Sequence, residues 1–146
     1  MATDDRKLVL LVDDDIMYLK MLHGALMQHY RIAMAKNGDQ ALAYLKKNKP
    51  DLILLDYMMP VKSGREVFYN MHDDPELCDI PVIFLTGAND SESVMEVLKL
   101  GPAGYVLKST TLIKIAETIN AFFKKQAQAT LKSDDADSAG DPAAQD

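Results

Sequence analysis

The sequence predicts an α/β fold in which a five-stranded parallel sheet is wound with helices on both sides. Two patterns predict it. Short apolar runs alternate with segments whose apolar residues recur every three or four positions, so strands and helices take turns along the chain. The runs are also nearly continuous rather than alternating apolar with polar, which is how strands covered on both faces read.

The first strand is LVLLV at 8–12, after charged residues 1–6 that form an N-terminal extension. Ile16, Leu19, Leu22 or His23, and Leu26 then follow at helical spacing, with Asp14 or Asp15 able to cap the helix start. YRIAMA at 30–35 is the second strand, and after the turn signal NGD, Ala41, Leu42 and Leu45 mark a helix. DLILL at 51–55 and PVIFL at 81–85 are the third and fourth strands. Val94, Val97 and Leu98 mark a helix that Asn89 or Asp90 can cap and Gly101–Pro102 stops. AGYVL at 103–107 is the last strand, followed by Leu112, Ile115, Ala116, Ile119 and Phe122 on the last helix. Strict alternation completes five strands and five helices, joined by right-handed crossovers.

A length of 146 residues with 48% hydrophobic side chains suits one domain with a real core. We place it at 7–125, leaving 126–146 as a helix end and an acidic tail. From Ser133 the sequence is small and acidic without large apolar residues, so it reads as disordered. That end carries much of the net charge of −6, which argues against a nucleic-acid-binding surface. The N-terminal apolar run is too short for a signal peptide or membrane span, so a cytoplasmic location is expected. A single cysteine, Cys78, allows neither a disulfide nor a thiolate metal site within one chain. His23, His29 and His72 lie on separate segments without metal-ligand spacing.

In an open parallel sheet the ligand site lies outside the carboxyl ends of the strands. Strand 1 ends in Asp13, Asp14 and Asp15, strand 3 in Asp56, strand 4 in Thr86, and strand 5 near Lys108. One aspartate can be a helix cap, but the others gather at one edge. Two unpaired carboxylates at 4 Å repel by about 4 kcal/mol at an effective dielectric of 20, so the cluster calls for counter-charge. Lys108 and a divalent cation would supply it. Oxygen-only ligands suit Mg²⁺, and Asp56 would then be a nucleophile toward phosphorus, with Thr86 bonding the new phosphoryl group.

These residues resemble those of receiver domains of two-component response regulators, of the stand-alone type, from about Lys7 to Lys125. LLVDDD is similar to the family's acidic motif, LLDYMMPVKSGREV to its acceptor motif, FLTGA to its alcohol motif and GYVLK to its lysine motif. The resemblance implies a flavodoxin-like sheet of order 2-1-3-4-5. It also implies phosphorylation of Asp56 by a histidine kinase or a histidine phosphotransfer protein. Asp14, Asp56 and the backbone carbonyl of Met58 would bind Mg²⁺, with Asp13 acting largely through water. Thr86 and Tyr105 would form a switch pair.

Such a protein is a signalling receiver, catalysing only its own phosphorylation and slow dephosphorylation. Met58 and Ala88 would flank the route of a hydrolytic water without orienting it. Output is expected through contact with a partner protein at helix 4, strand 5 and helix 5. The family's proline after the lysine is replaced by Ser109, and a cis bond there would cost about 2.5–4 kcal/mol, so a trans bond is expected. A phosphatase of the haloacid dehalogenase kind would want an aspartate at Met58. A phosphotransfer shuttle and a module that is never phosphorylated are the other readings of the same fold.

Overall fold

Five strands and five helices alternate in the computed structural model, which describes residues 5–87 and 91–139, the side chains of 91–93 and 130–139 apart. The strands are β1 (Leu8–Val12), β2 (Arg31–Ala35), β3 (Leu52–Asp56), β4 (Val82–Thr86) and β5 (Gly104–Leu107). The helices are α1 (Ile16–Leu26), α2 (Gly38–Leu45), α3 (Gly64–His72), α4 (Ser91–Lys99) and α5 (Leu112–Ala139). Every pairing is parallel and the order is β2-β1-β3-β4-β5, the flavodoxin-like arrangement expected. The sheet with α1–α4 forms one compact unit through Leu112, and the rest of α5 forms a second.

Side-chain alternation sorts the central strands into two buried faces. Leu10, Val12, Ile53, Leu55, Val82 and Phe84 share a core with Ala41 and Leu45 of α2, Val67, Phe68 and Met71 of α3, and Val97 of α4. Their neighbours Val9, Leu11, Leu54, Ile83 and Leu85 are buried on the opposite face, where α1 lies against β1 and β2. Each such aliphatic side chain stabilises by about 1.5–3 kcal/mol. The central strands are therefore rigid up to their last residues, and those residues frame the site.

Two local outcomes differ from the sequence reading, and one helix was expected from the alternation alone. On α1 the buried side chains are Tyr18, Leu19, Leu22 and Leu26, whereas Ile16 is exposed; as the first helical residue it precedes the turn whose inner face the later three define. Helix α3 carries no marker in the strand-by-strand reading. Its signal is the capping box, in which the Ser63 hydroxyl accepts from the Glu66 N–H and Glu66 accepts from the Ser63 N–H. Helical backbone in α5 continues through 133–139, within the stretch read as a tail. No glycine or proline interrupts the sequence between Gly104 and Gly140, so nothing local breaks the helix earlier. Residues 140–146 and the proposed caps Asn89 and Asp90 lie outside the described residues.

Candidate functional site

Three strands leave the sheet while still tied to a neighbour. The Asp13 N–H donates to the Ala35 carbonyl at 3.1 Å, the Tyr57 N–H to the Leu85 carbonyl at 2.9 Å, and the Lys108 N–H to the Thr86 carbonyl at 2.8 Å. These bonds fix the side chains one residue either side of each exit. Asp13, Asp56 and Thr86 are thereby buried, at 0, 2 and 1% exposure, while Asp14 sits exposed at the rim.

The loop after β3 rests on a close-packed floor. A Cβ at Gly64 would overlap the backbone carbonyl oxygen of Asp56, so only glycine lets α3 start this close. The Gly64 N–H donates to the Tyr57 carbonyl at 3.1 Å. Below, the Tyr57 and Phe68 rings each lie 5.5 Å from that of Phe84. Met59 is buried in the same core and Met58 is exposed. At the loop's outer end Val61 has φ +67, and the Lys62 N–H donates to the Pro60 carbonyl at 2.8 Å across it.

Lys108 links the two buried carboxylates. Its ammonium lies 2.6 Å from Asp13 Oδ2 and 3.2 Å from Asp56 Oδ2. The sequence reading paired it with Asp56; Asp13 is the nearer partner. No cis peptide bond occurs among the described residues, so the Lys108–Ser109 bond is trans and the ammonium still reaches Asp56. The other carboxylate oxygens take backbone donors: Asp13 Oδ1 from the Asp15 N–H at 2.9 Å, Asp56 Oδ1 from the Met58 N–H at 3.2 Å. Each Oδ2 atom is left with the Lys108 ammonium as its close polar partner.

Burial, then the facing Asp13 charge, pushes the Asp56 carboxyl up to about 7, against the pull of Lys108. Burial also disfavours the Lys108 ammonium, but its contacts with Asp13 and Asp56 outweigh that and raise its pKa. The site thus holds more negative charge than one ammonium offsets. Asp13, Asp14 and Asp56 each bring an oxygen within 4.8 Å of the others. Two under-bonded, buried oxygens beside an exposed carboxylate fit a hard divalent cation.

Thr86 and Tyr105 end up on adjacent strands, Thr86 buried at the site and Tyr105 exposed opposite Phe84. Ala88 lies outside the described residues. Away from the site, Cys78 is an exposed free thiol and His72 stacks on Phe68. Sequence reasoning missed Tyr18, whose ring centroid lies 5.1 Å from the Lys108 ammonium.

Comparison with known proteins agrees with this arrangement. The response regulator receiver domain family matches residues 9–120. The chain is 38% identical over 104 residues to a probable cyclic di-GMP phosphodiesterase of Vibrio cholerae, covering 71% of this chain and 24% of that protein. It is 31% identical over 117 residues to the polar-differentiation response regulator DivK of Brucella anthropi, covering 80% of this chain and 95% of that one. A crystal structure of the chemotaxis protein CheY4 of Vibrio cholerae superposes with a TM-score of 0.74 at 27% identity, covering 80% of this chain and 98% of that one. The chain spans about half or less of the length of several other curated relatives it matches. No helix among the described residues is long and apolar enough to cross a membrane. With the family's sheet order, its acidic edge and its lysine all in place, the chain belongs to the response regulator receiver domains of two-component signalling.

Proposed function

We propose that Asp56 accepts a phosphoryl group from a phosphohistidine of a histidine kinase or a histidine phosphotransfer protein. The observation that carries this is the Asp56 carboxylate, buried at the end of a central strand, with one oxygen held by the backbone and the other facing an ammonium 3.2 Å away. Mg²⁺ would be held by Asp14, Asp56 and the Met58 carbonyl, with Asp13 acting largely through water. When bound, it would neutralise charge on the phosphoryl oxygens.

In the transfer, an Asp56 oxygen forms a bond to phosphorus as the donor's phosphorus–nitrogen bond breaks. The imidazole leaves with the electron pair and takes up a proton. Lys108 offsets the developing negative charge, and the Thr86 hydroxyl donates to the transferred group. Occupancy at Thr86 then biases Tyr105, one strand over, and output passes by contact with a partner protein through α4 and β5. Met58 offers a hydrolytic water no hydrogen-bonding side chain, so the modification outlasts seconds. Incubation with a small acyl phosphate and Mg²⁺, followed by intact-mass measurement, tests the reading: the chain gains one phosphoryl group and Asp56→Asn gains none. An unmodified parent chain refutes it.

A further inference from the structure

Lys108 is gripped from two sides by a single stretch of chain. Asp13, at the end of β1, meets its ammonium at 2.6 Å. Tyr18, in the first turn of α1, places its ring centroid 5.1 Å from the same nitrogen, within the roughly 6 Å over which a cation is attracted to a ring face. A relay of hydrogen bonds locks the two grips together. The Asp15 N–H donates to Asp13 Oδ1 at 2.9 Å, and the Asp15 carboxylate, capping α1, accepts from the Tyr18 N–H at 3.2 Å.

Tyr18 is 9% exposed, and its hydroxyl is buried without a hydrogen-bond partner. The hydroxyl contributes nothing that favours burial, since a buried, unpartnered hydroxyl is unfavourable, so any role lies with the ring. The feature that distinguishes Tyr18 from an ordinary core residue is the cation beside its ring. A lysine side chain is long and flexible, and ordering it at the moment of reaction would slow the step.

We propose that Tyr18 is a positioning residue for Lys108, its ring holding the ammonium against Asp13 and Asp56 so that the lysine meets the phosphoryl group already oriented. This rests on the phosphoacceptor reading of Asp56. The ring acts and the hydroxyl does not, and dependence on Lys108 separates positioning from packing.

Three measurements test it. In the full chain with Mg²⁺ and a small acyl phosphate, Tyr18→Leu slows phosphorylation of Asp56 by about three- to thirtyfold, the range expected for loss of a cation–π contact, whereas Tyr18→Phe restores most of the rate. In a Lys108→Ala background, Tyr18→Leu adds no further loss, because its effect runs through the lysine. Without metal or phosphodonor, the Lys108 ε-methylene protons show a ring-current shift in the parent and in Tyr18→Phe that disappears in Tyr18→Leu. Equal rates for the parent and Tyr18→Leu, an equal loss in the Lys108→Ala background, or unshifted methylene protons in the parent would overturn the proposal. A parent chain that takes no phosphoryl group would sink the reading of Asp56 instead, and the proton shifts would still decide whether Tyr18 grips Lys108.

Discussion

Two aspartates bracket β3, and they play opposite parts. Asp51, just before the strand, accepts the Leu8 N–H on its carboxylate at 2.8 Å, while its own N–H donates to the Leu8 carbonyl at 2.7 Å. It ties β3 to β1. Asp56, at the other end, gives one oxygen to the Met58 N–H and leaves the second to an ionic contact, facing another buried carboxylate. The first carboxylate stabilises because the backbone answers it. The second is held in place by the core around it, at a cost to the fold, since a buried charge without full compensation is unfavourable.

The largest effect is expected at the floor of the loop after β3. Gly64→Ala places a methyl group into the Asp56 carbonyl, which is backbone and cannot swing away. It lowers stability by about 3 kcal/mol in denaturant titrations; a value near zero would mean that the loop is not held rigidly. Next comes Asp56 itself. Its carboxyl is raised from 3.8 to about 7, so folding favours the protonated form. The stability it contributes is present below its ordinary pKa and is lost as pH rises toward and through 7. The metal-free chain should therefore melt progressively lower across that interval, and Asp56→Asn should remove the trend and gain about 2 kcal/mol at pH 8. Added Mg²⁺ should recover much of the loss in the parent above pH 7.

Asp51→Ala sharpens the contrast from the other end. It costs about 1–2 kcal/mol through the orphaned Leu8 N–H and leaves the rate of Asp56 phosphorylation unchanged. The smallest effect is at Val61, 97% exposed with φ +67, a conformation strained for a β-branched side chain. Val61→Gly relieves that strain without losing packing and raises stability by about 0.5 kcal/mol, less than the full strain because glycine is freer when unfolded.

The strands and the acidic edge were legible because both are written locally. A short continuous apolar run such as LILL at 52–55, set between helical segments, reads as a buried strand, and the residue after it then falls at the sheet's edge. What was not legible depends on distances between strands. Nothing in the sequence says that Lys108 stands nearer Asp13 than Asp56, because that is set by how a long side chain from the edge strand lies across the ends of the others. Tyr18 was hidden for a related reason: helical spacing fits Ile16 as well as Tyr18, and only the end of β5 shows which one is covered. Helix α3 was expected only from the alternation of strands and helices, although Ser63 and Glu66 also announced its start.

We take Asp56, which faces Lys108 and Asp13, rather than the backbone-paired Asp51, as the acceptor. Intact and peptide mass spectrometry after incubation with a small acyl phosphate and Mg²⁺ tests it most directly. One phosphoryl group on the peptide containing Asp56, absent in Asp56→Asn and retained in Asp51→Ala, is the predicted result. A chain that gains no phosphoryl group, or gains it away from Asp56, would contradict the account.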